Sequence, residues 1–84
     1  MYYMYVLKSE KDNNLYFGST NDLRRRLLEH NEGKVLSTKS RRPFTLKYYE
    51  AYANESDARG RESSLKKDGR ALAQLKLRIN KSLQ

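Results

Sequence analysis

The apolar positions of this 84-residue chain change period several times, and each change marks an element. From Met1 to Lys8 (MYYMYVLK), aromatic and aliphatic side chains fall on both alternating faces. That is the pattern of a strand covered on two sides and therefore central in its sheet. Ser9 to Asn14 is polar and holds Asp12-Asn13-Asn14, a turn. Leu15 to Gly18 reads as a second strand, Leu15 and Phe17 alternating with Tyr16 and Gly18, so the two segments predict an antiparallel hairpin. Tyr5 and Tyr16 share a face in any hairpin register whose paired positions sum to an odd number. Gly18 then lets the backbone turn where a Cβ would clash or exclude a ligand.

Helical spacing begins after Gly18. Ser19, Thr20 and Asn21 are good capping residues and Asp22 suits a first turn, which predicts a helix from about Asn21 to Asn31. Leu23 and Leu27 form its buried stripe, and Arg26 and His30, four apart, stand on one edge of that stripe. Arg25 points further out, where Glu29 can pair with it. Lys34 to Arg42 (KVLSTKSRR) has no period and stops at Pro43, which predicts an exposed, mobile loop. Phe44 to Tyr52 alternates again as a third strand, Phe44, Leu46 and Tyr48 against Thr45 and Lys47. Asn54 caps a second helix over about Glu55–Lys67, with Asp57 in a capping-box-like position. Asp68-Gly69 breaks it, and Ala71, Leu72, Leu75 and Ile79 mark a third amphipathic helix to about Asn80.

The order β-β-α-β-α-α gives an α/β chain of the α+β type: a three-stranded antiparallel sheet flanked by three helices. The length suits one small domain over residues 1–84. There is no cysteine, so disulfides and cysteine-held zinc are excluded, and the lone His30 cannot build a histidine metal site. No apolar run is long enough for a membrane span and no leader pattern opens the chain, so a cytoplasmic location is the default expectation. A net charge of +8 favours a polyanion partner, of which nucleic acid is the commonest.

Two features go beyond a soluble basic domain. Tyr16 at a strand end and Arg26 and His30 on the following helix can meet at one cleft, and that combination suits anion chemistry. Glu62 shares a face with Ala58 and Leu65, at steps of four and three, and a glutamate on an apolar stripe is costly unless something pairs with it. Each residue also has a plain structural reading. The tyrosines suit core or rim packing, the arginine run suits a solvated face, His30 suits a helix end, and Glu62 can pair with Arg59 or Arg61.

Tyr3-Met4-Tyr5, Tyr16-Phe17-Gly18, Arg26, His30 and Glu62, in that order, resemble the GIY-YIG nuclease domain over nearly the whole chain. Arg41-Arg42-Pro43 followed by Leu46-Lys47-Tyr48-Tyr49-Glu50 is similar to its small stand-alone members. Tyr3 stands where the name motif has its first glycine, and Phe17 where it has isoleucine; the motif's Tyr5, Tyr16 and Gly18 are kept. The resemblance implies a metal-dependent endonuclease that hydrolyses DNA phosphodiesters, in a setting such as DNA repair or recombination. In that picture Glu62 binds one divalent cation, Mg²⁺ or Mn²⁺. Arg26 holds the scissile phosphate. Tyr5, Tyr16 or both orient the attacking water, and one of them with His30 takes or relays its proton. Arg25, Lys34, Lys39, Arg41 and Arg42 are expected along the nucleic acid, DNA or RNA. The rival readings are a basic nucleic-acid-binding module with weak or no cleavage, and an interaction protein that docks its basic face on RNA or an acidic protein.

Overall fold

The computed structural model describes residues 1–84. Strand β1 (Tyr2–Ser9) lies between β2 (Leu15–Thr20) and β3 (Phe44–Tyr52), and both pairings are antiparallel. Met4, Tyr5, Val6 and Leu7 are all buried, as a strand covered on both faces requires. The hairpin pairs Tyr5 with Gly18 and Leu7 with Tyr16, an odd-sum register, so Tyr5 and Tyr16 do share a face. The turn between the strands is taken by Asn13 at φ 62°, a left-handed conformation that asparagine tolerates.

Helix α1 (Leu23–Asn31) follows β2, α2 (Glu55–Lys67) follows β3, and α3 (Gly69–Arg78) completes the order. The expected α1 start at Asn21 falls two residues early, because Asp22 is the cap: its side chain accepts from the Arg25 amide at 3.0 Å. Strand β2 also runs on to Thr20 instead of ending at Gly18. Asn54 caps α2 by accepting from the Ser56 amide at 2.8 Å. Asp68 ends α2 and starts α3, its carboxylate accepting from the Arg70 and Ala71 amides. The break therefore costs one residue, and α3 folds back over the sheet.

The two sheet faces hold separate cores. On one, Met4 and Val6 pack with Leu65, Leu75 and Ile79 beneath α2 and α3. On the other, Tyr5, Leu7 and Phe44 pack with Tyr16, Leu23, Leu27 and Leu46 beneath α1. The simple alternation expected in β3 fails at a bulge opposite Val6/Leu7. Before the bulge Phe44 and Leu46 face α1; after it Tyr48 faces α2 and α3. One extra residue thus moves the remainder of the strand's pattern to the opposite face.

The basic loop is anchored, contrary to the expected mobile segment. A 3-10 turn spans Lys39–Arg41, and Thr38 just before it is fully buried. The Arg41 carbonyl accepts from the buried Ser9 hydroxyl at 2.6 Å, and the Arg41 guanidinium pairs with Asp12 at 2.7 Å and lies over Phe44. Those contacts tie the loop to the hairpin turn. The Asn31 side chain donates to the Phe44 carbonyl and accepts from the Phe44 amide, which pins the end of α1 to the start of β3.

Candidate active site

A chain of buried hydrogen bonds forms where α1 crosses the sheet. His30 is fully buried. Its Nε2 lies 2.9 Å from the Tyr5 hydroxyl and its Nδ1 lies 2.7 Å from the Thr38 hydroxyl. Thr38 Oγ1 in turn donates to the Val35 carbonyl at 3.4 Å. With that acceptor taken, the network assigns Nδ1–H to Thr38 and leaves Nε2 to accept the Tyr5 proton. The His30 ring also sits against Tyr16 and Phe44, with centroids 5.1 Å and 5.9 Å away.

Burial, with the positive charge of Arg26 added, pushes the His30 pKa down to about 4, against the opposing pull of Glu29. His30 is therefore neutral near pH 7, with its Nε2 lone pair available to the Tyr5 hydroxyl. Burial pushes the Tyr5 phenol up to about 12; the facing Arg26 guanidinium pulls it back, while Tyr16 and Glu62 add to the rise. Tyr5 is a protonated phenol held between a cation and an imidazole. Burial opposes the charge of Arg26, but hydrogen bonds to Tyr5 and Glu29 outweigh it and raise its pKa further.

The glycine of the second motif is explained by this geometry. Gly18 lies opposite Tyr5 in the sheet, and a Cβ there would fall on the Tyr5 hydroxyl and ring. Gly18 makes room for the Tyr5 side chain inside a strand; it does not make a turn.

Arg26 lies beside Tyr5 as the helix spacing predicts, and its side chain keeps about a third of its surface exposed. The expected partition of Glu29 needs correction. Its closer partner is Arg26, at 3.0 Å; Arg25 is 3.8 Å away and also donates to Asn21. Glu29 is three residues on from Arg26, and that i,i+3 contact steadies the guanidinium at the cleft.

Glu62 is placed on the Tyr16 side of the site by the side chain it pairs with. Its expected partners are committed elsewhere, Arg59 to Glu55 and Arg61 to Glu50. Lys66 takes the place instead, with Nζ 2.6 Å from Glu62 Oε2 and 5.7 Å from the centre of the Tyr16 ring. No group of three or more acidic, histidine or cysteine side chains gathers at any point of the molecule. A single, partly exposed carboxylate suits a hard divalent ion that keeps most of its water shell, and such an ion would compete with the Lys66 ammonium on Oε2. The site does not fit an all-protein metal cage.

Four of the five expected catalytic positions, Tyr5, Tyr16, Arg26 and His30, thus gather where α1 meets the sheet, and Glu62 is linked to them through Lys66, which lies over Tyr16. The basic positions divide. Arg41 is engaged with Asp12, Arg42 donates to the Lys39 carbonyl, and Lys34 pairs with Glu32. Only Arg41 is partly buried; Arg25, Lys34, Lys39 and Arg42 are all exposed. Sequence reasoning missed Thr38, because nothing in an aperiodic KVLSTKS segment distinguishes a buried hydroxyl from its exposed neighbours.

The sequence matches the GIY-YIG catalytic domain family over residues 1–77. It is 46% identical over 66 residues to a UPF0213 protein of Bacillus pumilus, an alignment that takes in 77% of this chain and 66% of that one, just under two thirds of the relative's length. A UPF0213 protein of Staphylococcus haemolyticus is 42% identical over 66 residues, covering 77% of this chain and 79% of the relative. The solution NMR structure of a UPF0213 protein from Bacillus halodurans aligns with a TM-score of 0.54 at 33% identity, covering 89% of this chain and 82% of that one. A match of that extent, on a fold that brings the motif tyrosines, Gly18 and Arg26 together, means that the chain belongs to the GIY-YIG catalytic domain family, a superfamily of endonucleases.

Proposed function

We propose that this protein is a metal-dependent endonuclease that hydrolyses DNA phosphodiesters. The observation that carries the reading is the 2.9 Å contact between Tyr5 and a buried, neutral His30, beside Arg26 and Glu62. A phenol with its pKa near 12 is a poor base alone. It serves as a relay: as a water bound at the Tyr5 oxygen attacks phosphorus and gives up its proton to that oxygen, the phenolic proton passes to His30 Nε2, a weak base whose imidazolium is stabilised only as negative charge builds on the phosphate beside it. Thr38 keeps the imidazole in the tautomer that can receive it. Tyr16, on the same face and 6.5 Å from Tyr5 between ring centres, lines the water's side of the cleft. Arg26 holds the phosphate in its planar fork and stabilises the charge that builds on it. Glu62 would hold one Mg²⁺ or Mn²⁺, which supplies Lewis-acid stabilisation of the phosphoryl and leaving oxygens.

The test is a supercoiled-plasmid nicking assay across Mg²⁺ and Mn²⁺ concentrations, with Glu62→Gln as the comparison. Wild type should nick only with metal. Glu62→Gln, nearly isosteric but without the anionic ligand, should keep its melting temperature and lose nicking. Binding with a steep salt dependence and no nicking at any metal concentration would replace the enzyme with a nucleic-acid-binding module.

A further inference from the structure

One part of the α1 face of the sheet has no cover. Tyr3 lies two residues from Tyr5 on the same side of β1, and Tyr49 is the β3 residue opposite Tyr5. Neither belongs to the core beneath α1. Their rings meet edge to face, with centroids 5.7 Å apart and planes at 75°, and Tyr49 keeps half of its surface exposed. Neither hydroxyl is used within the fold, unlike those of Tyr48 and Tyr52, which both donate to Glu50. The pair is thus a fixed aromatic surface directly beside the proposed relay tyrosine. Tyr3 is also the residue that stands where the name motif has glycine, so its ring is an addition to the motif's minimum.

A two-residue patch is too small to hold a folded protein, and the chain around it carries a net +8. A nucleobase fits both facts: it presents an apolar π-face, and it arrives on a phosphate chain. A base inside a duplex has both faces stacked on its neighbours and offers none to a tyrosine. We infer that the exposed Tyr49 ring, braced edge to face by Tyr3, stacks an unpaired base next to the phosphate held at Arg26, so that the preferred substrate is single-stranded DNA or a single-stranded segment of a larger DNA. This rests on the nuclease reading for the position of that phosphate. Stacking on an aromatic side chain contributes about 1–3 kcal/mol per base, so one lost platform ring lowers affinity roughly 5- to 150-fold.

The test compares a fluorescein-labelled single strand with the duplex of the same sequence, by anisotropy in metal-free buffer. Wild type should prefer the single strand. Tyr49→Ala should weaken single-strand binding about tenfold or more and change duplex binding less than twofold, while Tyr49→Phe should keep the wild-type values. The chain has no tryptophan, so Tyr49→Trp adds a single reporter whose emission should be quenched by the single strand and not by the duplex. In single-strand cleavage the Tyr49→Ala loss should fall on KM and leave kcat near wild type. Equal losses on both DNAs, tighter duplex binding by wild type, or an unquenched Tyr49→Trp emission would overturn the inference. Single-strand binding that depends on Tyr49 without cutting supports it and removes the nuclease reading. Duplex cutting indifferent to Tyr49 does the reverse.

Discussion

The two faces of the sheet are built to different ends. Beneath α2 and α3 the core is five aliphatic side chains, with its one polar cluster, Glu50 with Tyr48, Tyr52 and Arg61, set at the rim. Beneath α1 the interior holds a histidine, a tyrosine hydroxyl and a threonine hydroxyl, all fully or almost fully buried. Every one of those polar atoms has a partner, so the cost of burying them is met by hydrogen bonds. The first face gains stability from area removed from water, at about 1.5–3 kcal/mol per buried aliphatic side chain. The second gives up part of that gain to hold the Tyr5–His30–Thr38 hydrogen-bonded chain in a fixed geometry. Mutations on the two faces should therefore fail in different ways.

The widest separation is expected between Arg26 and Leu65. Arg26→Ala should lower single-turnover cleavage by about two orders of magnitude or more, the scale for one transition-state stabiliser, with little change in melting temperature. Arg26→Lys should rescue it only in part, since an ammonium lacks the planar fork. Arg24→Ala and Arg25→Ala, on exposed positions of the same helix, should change cleavage little beyond modest binding. Leu65→Ala should do the opposite, costing about 2–5 kcal/mol of stability while the folded fraction cuts normally. Equal rate losses for the three arginines would mean a diffuse basic footprint and no focused phosphate site on the α1 face.

A smaller effect tests whether the buried polar chain acts as a unit. Thr38→Val keeps the shape and removes the acceptor of the His30 Nδ1 proton. Leaving that donor unpaired should cost about 1–3 kcal/mol in denaturant unfolding. Releasing the tautomer should slow cleavage by about tenfold, or ~1.4 kcal/mol of barrier. A Thr38→Val protein that loses stability but keeps its rate would reduce Thr38 to a packing residue.

The two faces were also unequally legible in the sequence. Sheet order, helix order and the α2–α3 break followed from periodicity and caps, because those signals are local. The convergence of Tyr16, Arg26 and His30 was expected from the strand end and the four-residue step in α1, while hairpin parity only allowed Tyr5 to join them and the observed register brings it there. Beyond that, local signals fail. The β3 bulge reassigns Tyr48 to the other face, and no alternation rule anticipates one extra residue. Thr38 and Ser9 are buried by contacts 8 and 32 residues away in sequence, so their hydroxyls look like loop residues. The pairing of Glu62 with Lys66 over Arg59 or Arg61 was decided by Glu55 and Glu50 taking those arginines first. Glu55–Arg59 and Glu62–Lys66 are i,i+4 pairs that helix spacing could have signalled; only Arg61–Glu50, from α2 to β3, leaves no local signature.

The last expected effect is a pH dependence, and between pH 6.5 and 4.5 it belongs to the α1 face. The ordinary His30 pKa of 6.5 is lowered to about 4 in the fold, chiefly by burial and then by Arg26. Between those values the unfolded chain binds a proton that the folded chain does not, so stability is intact above pH 6.5 and falls as pH drops toward 4. The slope should reach at most one proton, about 1.4 kcal/mol per pH unit. Asp12 and Glu50 also have lowered values, through Arg41 for Asp12 and, for Glu50, through hydrogen bonds from Tyr52, Tyr48 and Arg61 that outweigh its burial. Their losses begin only below their ordinary values of 3.8 and 4.5, which leaves pH 6.5 to 4.5 to His30. His30 is the single histidine of the chain, so the assignment is unambiguous. Urea unfolding at pH 7, 6 and 5 should show the decline in wild type and a flat profile in His30→Asn. The acid limb of kcat/KM should lie near pH 4, with no break at 6.5. A break at 6.5 together with flat stability would mean that His30 is solvated, and the face beneath α1 would then hold no buried proton path.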